Sequence, residues 1–280
     1  MANFLDTLDS FETFARKAFL EGTSTRERLH AELYERPLAE VFEAFYARSG
    51  DRSGPGALFR ELSDVRTRVR EAGPAVRAAV EAVEPRVREL LGVPDDPAPL
   101  HVLMVGQFSA NAVVGRLGDD VAVFHCLEWF NPDQATDVLV AHEDAHAWHE
   151  LALGAPGSEE DASWLAFSEG LAIQASRQVL PGRDEDDYFW YGHAGFEDWL
   201  PWCREHRDEL VERFAAALDG PDAAEAADAW FGSGLIDGRW RVGYYVADQL
   251  VGGLDRPLPD LVELDPAEAS SVLRGAAGLT

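Results

Sequence analysis

The run His142-Glu143-Asp144-Ala145-His146 constrains this chain more than any other stretch of its 280 residues. Two histidines four apart share one face only in an α-helix, where that interval is little more than one turn. Both imidazoles can then bind a single metal ion. Zinc takes histidine nitrogen at ~2.0–2.1 Å, and in catalytic sites it uses three protein ligands and leaves the fourth position to water. Glu143 lies beside that face, where a carboxylate serves as general base and not as ligand. The flanking residues agree with a helix. Asn131 reads as an N-cap and Pro132 as the first helical residue. Ala135, Val138, Leu139, His142, His146 and His149 recur at helical intervals, and the run stops at Gly154 with Pro156 beyond.

Two histidines require a third donor. The stretch from Ala162 to Ala172 reads as an apolar helix with one carboxylate, Glu169, in its middle. Burying a carboxylate costs several kcal/mol unless it is paired or binds a metal, so Glu169 needs a partner. Gly170 beside it removes a side chain where two helices would approach closely. His149 shares the face of His142, but three ligands on one straight helix span ~10 Å and cannot close around one ion. Glu169 is therefore the expected third ligand.

Together, His142-Glu143-x-x-His146, Trp164-Leu165 and Ser168-Glu169-Gly170-Leu171-Ala172, with Glu169 23 residues after His146, resemble the gluzincin metallopeptidases. A closer resemblance than to the aminopeptidase N-like enzymes is to a bacterial family of predicted Zn-dependent proteases that carry the same Glu-Gly-Leu-Ala and a late Gly-Tyr stretch, here Trp240 to Ala247. The resemblance spans about residues 100 to 252. It implies a zincin-like fold, zinc held by His142, His146 and Glu169, Glu143 as base, and Tyr244 as the group that steadies the oxyanion. Tyr245 and His193 are the other candidates for that last role. There are two departures. Ala247 stands where the family usually has glycine, and the Gly-x-Met-Glu-Asn signature of aminopeptidase N-like enzymes is missing. An aminopeptidase is thus not implied.

The charge of −27 is unevenly spread. Residues 1–92 carry 14 basic and 16 acidic groups, whereas residues 93–280 carry 10 and 35. The acidic groups serve most simply as solubilising surface. They also disfavour nucleic acid and anionic membranes, and favour neutral or basic peptide or protein substrates. At 46% apolar and 27% charged residues, the composition is that of a globular protein. No stretch approaches the ~20 apolar residues of a membrane span, and the N-terminus lacks a signal-peptide pattern. Cys126 and Cys203 do not read as a disulfide pair, so a cytoplasmic location is expected.

The expected fold class is α+β, a mostly helical zincin-like catalytic domain over residues 94–280 preceded by an N-terminal helical segment over 1–93. In the N-terminal segment Phe4, Leu5, Leu8, Phe11, Phe14, Ala15, Ala18 and Phe19 form one apolar stripe. A second helix bends near Pro37, a loop covers 49–56, and two amphipathic helices run from Leu58 to Arg70 and from Ala75 to Leu91. Three strands, 101–106, 112–116 and 121–127, read as a meander before the motif helix. Helices are expected from Phe196 to Leu218, after Asp219-Gly220-Pro221, and from Trp240 to Leu250, with a loop over 233–238. All eight tryptophans fall between residues 129 and 240. That concentration fits a large core or an apolar substrate cleft. Cys126 is not expected to ligate metal, and Tyr191 and His193 share an aromatic loop. The alternative function is a non-catalytic zincin-fold module that binds peptide or protein, with its metal absent or structural. The intact Glu143 argues against it.

Overall fold

The structure is a computed structural model that describes residues 2–49, 55–130, 135–154, 161–220 and 222–279. These residues form a mostly helical α+β protein with a four-stranded mixed sheet and a two-stranded ribbon. Two compact units divide the chain, Met1–Pro85 with Asp95–Ala147, and Arg86–Pro94 with Trp148–Thr280. No described helix is long and apolar enough to cross a membrane.

The first unit begins with strand β1 (Asn3–Asp6), followed by helices α1 (Leu8–Ala18), α2 (Thr23–His30), α3 (Ala39–Ser49), α4 (Pro55–Arg60) and α5 (Leu62–Leu91). Strands β2 (Leu100–Met104), β3 (Ala112–Leu117) and β4 (Asp120–Cys126) lead into α6 (Thr136–Leu153). The unit takes α5 as far as Pro85 and α6 as far as Ala147. Phe4 and Leu5, expected in the first helix, lie instead in β1, which pairs in parallel with β2 from Asn3↔Leu100 to Asp6↔Leu103. Thr7 fixes the change of structure. Its amide and its hydroxyl both donate to the Leu103 carbonyl, at 3.1 and 2.8 Å, and the Leu8 amide donates to Asp6 Oδ1 at 2.9 Å.

The sheet order is β1-β2-β4-β3, with β2 parallel to β4 and β3 antiparallel to β4. The expected meander is therefore only half present. The hairpin of β3 and β4 forms, but β2 joins β4 from the other side. The burial explains the choice. Val102, Leu103 and Met104, and Val121 to Cys126, are all buried, the continuous pattern of parallel strands covered on both faces.

Helix α5 is one 30-residue helix that contains Pro74 and Pro85, where two separate helices were expected. A proline inside a helix costs ~3 kcal/mol or more. Val65, Val69, Ala72, Val76, Val80, Val83, Val87 and Leu91 are all buried on a single stripe, and a fully buried Val or Leu contributes about 1.5–3 kcal/mol. The stripe outweighs the prolines. Near Pro37, where a bend was expected, the chain passes through a widened turn over Ala31–Glu35 and a tightened one over Arg36–Leu38. Most of the expected 49–56 loop lies outside the described residues, and Pro55 and Gly56 already belong to α4. The expected cap at Asn131 and Pro132, and Pro156 beyond the motif helix, also lie outside them.

The second unit is built on α7 (Ala162–Val179), followed by α8 (Asp187–Trp190), α9 (Trp199–Glu205), α10 (Arg207–Leu218) and α11 (Ala223–Phe231). A ribbon of β5 (Leu235–Ile236) and β6 (Arg239–Trp240) precedes α12 (Val242–Gly252), α13 (Leu258–Val262) and α14 (Pro266–Ala276). Helix α7 packs chiefly on α12 and α14. Its start is set by Asp161, which accepts from the amides of Ser163 and Trp164 at 2.9 and 3.3 Å. The single helix expected over 196–218 is divided into α9 and α10. The loop expected over 233–238 is a hairpin turning at Asp237-Gly238, both at positive φ, as a two-residue turn of this type requires.

Candidate metal centre

Helix α6 is buried nearly all round, with Val138, Leu139, Val140, Ala141, Ala145, Ala147 and Trp148 among its enclosed residues. Within it His142 is buried, His146 is half-buried, and the two Nε2 atoms stand 3.1 Å apart. Two nitrogens on a tetrahedral zinc at ~2.0–2.1 Å would be ~3.3 Å apart. The pair is close to that spacing, and its rings meet edge-on at 82°. Glu143 is buried beside them.

One donor atom from each of His142, His146 and Glu169 lies within 4.8 Å of the other two, a group that could hold a metal ion. The donor chemistry is that of a zinc site, two imidazoles and one carboxylate. On α7, Glu169 is half-buried and its Oε1 accepts a hydrogen bond from the Tyr244 hydroxyl at 3.2 Å. Gly170 is what allows α12 to come this close. A Cβ there would stand 2.5 Å from the Ala247 carbonyl oxygen and 2.6 Å from Val251 Cγ2. Gly243 plays the same part toward α11, where a Cβ would meet the Trp230 carbonyl oxygen at 2.6 Å. Ala247, at the position where glycine was expected, is fully buried in this packing.

Tyr244 and Tyr245 part company on α12. Tyr244 reaches Glu169, and the Arg241 guanidinium covers its ring at 3.9 Å from the centroid. Tyr245 packs toward Phe189, and burial raises its hydroxyl pKa, with the neighbouring Cys203 adding to the shift and Arg207 and Arg204 opposing it. His193 lies near Arg241, and burial followed by that positive charge holds its imidazole below the ordinary range. His149 packs against Trp164 and Phe167. Cys126 is buried and free, with its thiol pushed well up by burial.

Sequence reasoning missed a second polar cluster in the first unit. Asp144 is two residues from each histidine of the pair and so points to the other side of α6. There it is fully buried with His101 of β2 and His125 of β4. His101 Nδ1 is 3.2 Å from His125 Nε2 and 3.8 Å from Asp144 Oδ1. Burial pushes the Asp144 carboxyl well up, and Glu84 and Glu143 add to the shift. Burial likewise takes His101 down to about 3 and His125 well below its usual value. Burial thus disfavours the charged form of each partner in the contact of Asp144 with His101. The signal was a histidine within each of two apolar strands, but only the parallel register brings them together. Arg241 was also missed, although it stands three residues before Tyr244.

Set against known protein families, curated proteins and solved structures, the chain matches none.

Proposed function

We propose that the protein is a zinc-dependent peptidase of gluzincin type with a zincin-like catalytic part. The observation that carries the reading is the convergence of His142, His146 and Glu169 within 4.8 Å, with Glu143 on the same helix turn as the histidines. His142, His146 and Glu169 would hold zinc. Bound there, zinc supplies a Lewis acid that lowers the pKa of water and polarises the scissile carbonyl.

The remaining work falls to the chain's own side chains. Glu143 takes a proton from the attacking water and passes it to the leaving amine. The Tyr244 hydroxyl, held beside the ligand set by Glu169, donates to the developing oxyanion. The substrate is a peptide or protein. Two free, buried cysteines fit a reducing compartment such as the cytoplasm.

The test is metal analysis of the purified protein, followed by digestion of a mixed peptide library with and without chelator. About one zinc per chain and chelator-sensitive cleavage are expected. Glu143→Gln keeps the zinc and loses turnover, and Glu169→Ala loses most of the zinc. Equal metal content in the wild type and a His142→Ala/His146→Ala double variant would reject the metal centre. Zinc without cleavage of any peptide would favour the binding-module alternative.

A further inference from the structure

Arg241 is a cation set apart. Arg239, on the same ribbon, pairs with Asp198 at 3.3 Å, and Arg177 and Arg213 each reach two carboxylates. Among the described residues no carboxylate lies within ion-pair distance of Arg241, although the chain carries a net charge of −27; Glu169 acts on the charge of Arg241 from beyond that distance, and the guanidinium hydrogen-bonds the Tyr244 side chain. Its guanidinium is instead framed by rings, 3.9 Å from the Tyr244 centroid, 5.6 Å from Trp240 and 5.9 Å from Trp190. The backbone beneath it is fixed in the left-handed region, φ 57°, directly before α12.

Its position relative to Glu169 is the informative point. Tyr244 spans the gap, with its hydroxyl on Glu169 Oε1 and its ring under the guanidinium. Arg241 therefore stands about one aromatic side chain from the carboxylate assigned to the metal, a length that one or two extended residues cover at ~3.3–3.6 Å each. A planar guanidinium binds a carboxylate through two parallel hydrogen bonds.

We infer that Arg241 binds the free C-terminal carboxylate of a peptide whose scissile bond lies one or two residues upstream, so that the protein acts as a carboxypeptidase. This deepens the peptidase reading and rests on it. Acidic side chains are the other source of carboxylate, but the charge of residues 93–280 repels acidic peptides, whereas every peptide carries a C-terminus. Trp240 and Leu235 are cross-strand neighbours on the ribbon and both are exposed, a surface that suits an apolar terminal side chain.

The test uses the zinc-loaded full-length protein and one random hexapeptide library, prepared as free acids, as C-terminal amides, and as amides with Asp or Glu in the last two positions. The wild type should release one or two C-terminal residues and favour acids over amides by about 10-fold or more in kcat/KM, the scale of one charge-assisted pair. Arg241→Gln should bring the acid-to-amide ratio to about 1, with the loss chiefly in KM, and Arg241→Lys should keep part of the preference. A second readout needs no turnover. Zinc-loaded Glu143→Gln protein should retain free acids over amides by about 10-fold, and the added Arg241→Gln change should abolish that enrichment.

Wild-type cleavage of acids and amides at equal rates overturns the inference and leaves the peptidase reading standing. So does equal use of the acidic-residue amides and the free acids. Absence of both zinc and cleavage removes the peptidase reading and this inference with it. The wild-type comparison stands even if Arg241→Gln does not fold.

Discussion

A methyl group on Gly170 would stand 2.5 Å from the carbonyl oxygen of Ala247. The obstacle is backbone, so no rotamer change can relieve it. Gly170→Ala should separate α7 from α12 and cost about 1–3 kcal/mol of stability in denaturant unfolding. It should also weaken zinc binding, because Glu169 is the adjacent residue. Adding Ala247→Gly should not rescue it, since the carbonyl remains. Full rescue would show that side-chain volume, and not backbone approach, sets the crossing.

Tyr244→Phe removes the hydroxyl that donates to Glu169 and keeps the ring under Arg241. Zinc content should stay near that of the wild type while kcat falls about 10²–10³-fold, the usual cost of losing one oxyanion donor. Tyr245→Phe faces the opposite environment and should leave kcat within about 3-fold. Equal losses in both variants would count against the assignment of Tyr244.

Glu128 is fully buried in the first unit, and its Oε1 accepts from the amides of Gly106 and Phe108 at 2.8 Å each. Burial raises its pKa from 4.5 to about 7, against the pull of those amides and of Arg68. The folded state therefore holds its proton more tightly than the unfolded chain does. Its contribution is complete below about pH 4.5 and declines as pH rises toward 7, by about 3 kcal/mol in all. Glu128→Gln keeps the acceptor oxygen and removes the titration. The difference in unfolding free energy between wild type and variant should slope across that interval, and a flat difference would refute the shift.

His30 gives the opposite sign. It is enclosed by Phe14, Tyr34, Phe42 and Phe59, with Glu35 at 3.7 Å from its Nδ1, and burial lowers its pKa from 6.5 to about 3. The unfolded chain takes up the proton first. Stability associated with His30 is thus present above pH 6.5 and is lost as pH falls toward 3, by up to about 5 kcal/mol. His30→Phe should unfold less readily in acid than the wild type, with urea midpoints compared at pH 4 and pH 7.

What the sequence reveals of this fold follows the range of the interactions. The motif helix, α7 and the hairpin of β3 and β4 are local patterns, readable from helical spacing, from the apolar run around Glu169 and from the turn at Gly118-Asp119. Strand β1 is not local. Phe4 and Leu5 fit a helical stripe equally well, and only pairing with a strand almost a hundred residues later decides against it. The break expected between Arg70 and Ala75 failed for a different reason, because a valine stripe continuing through Pro74 outweighs one missing hydrogen bond. The candidate ligands share the same limit. Their residue types and spacing were legible, but Arg241 acquires meaning only once the ribbon lays it over Tyr244.

The sheet order β1-β2-β4-β3 gives four residues at the front of the chain a guarding task. Without Asn3–Asp6, the backbone of Leu100–Met104 would offer an open row of donors and acceptors to any extended segment nearby. A shortened chain would then be prone to recruit a second molecule through that seam, turning an interior strand into a point of aggregation.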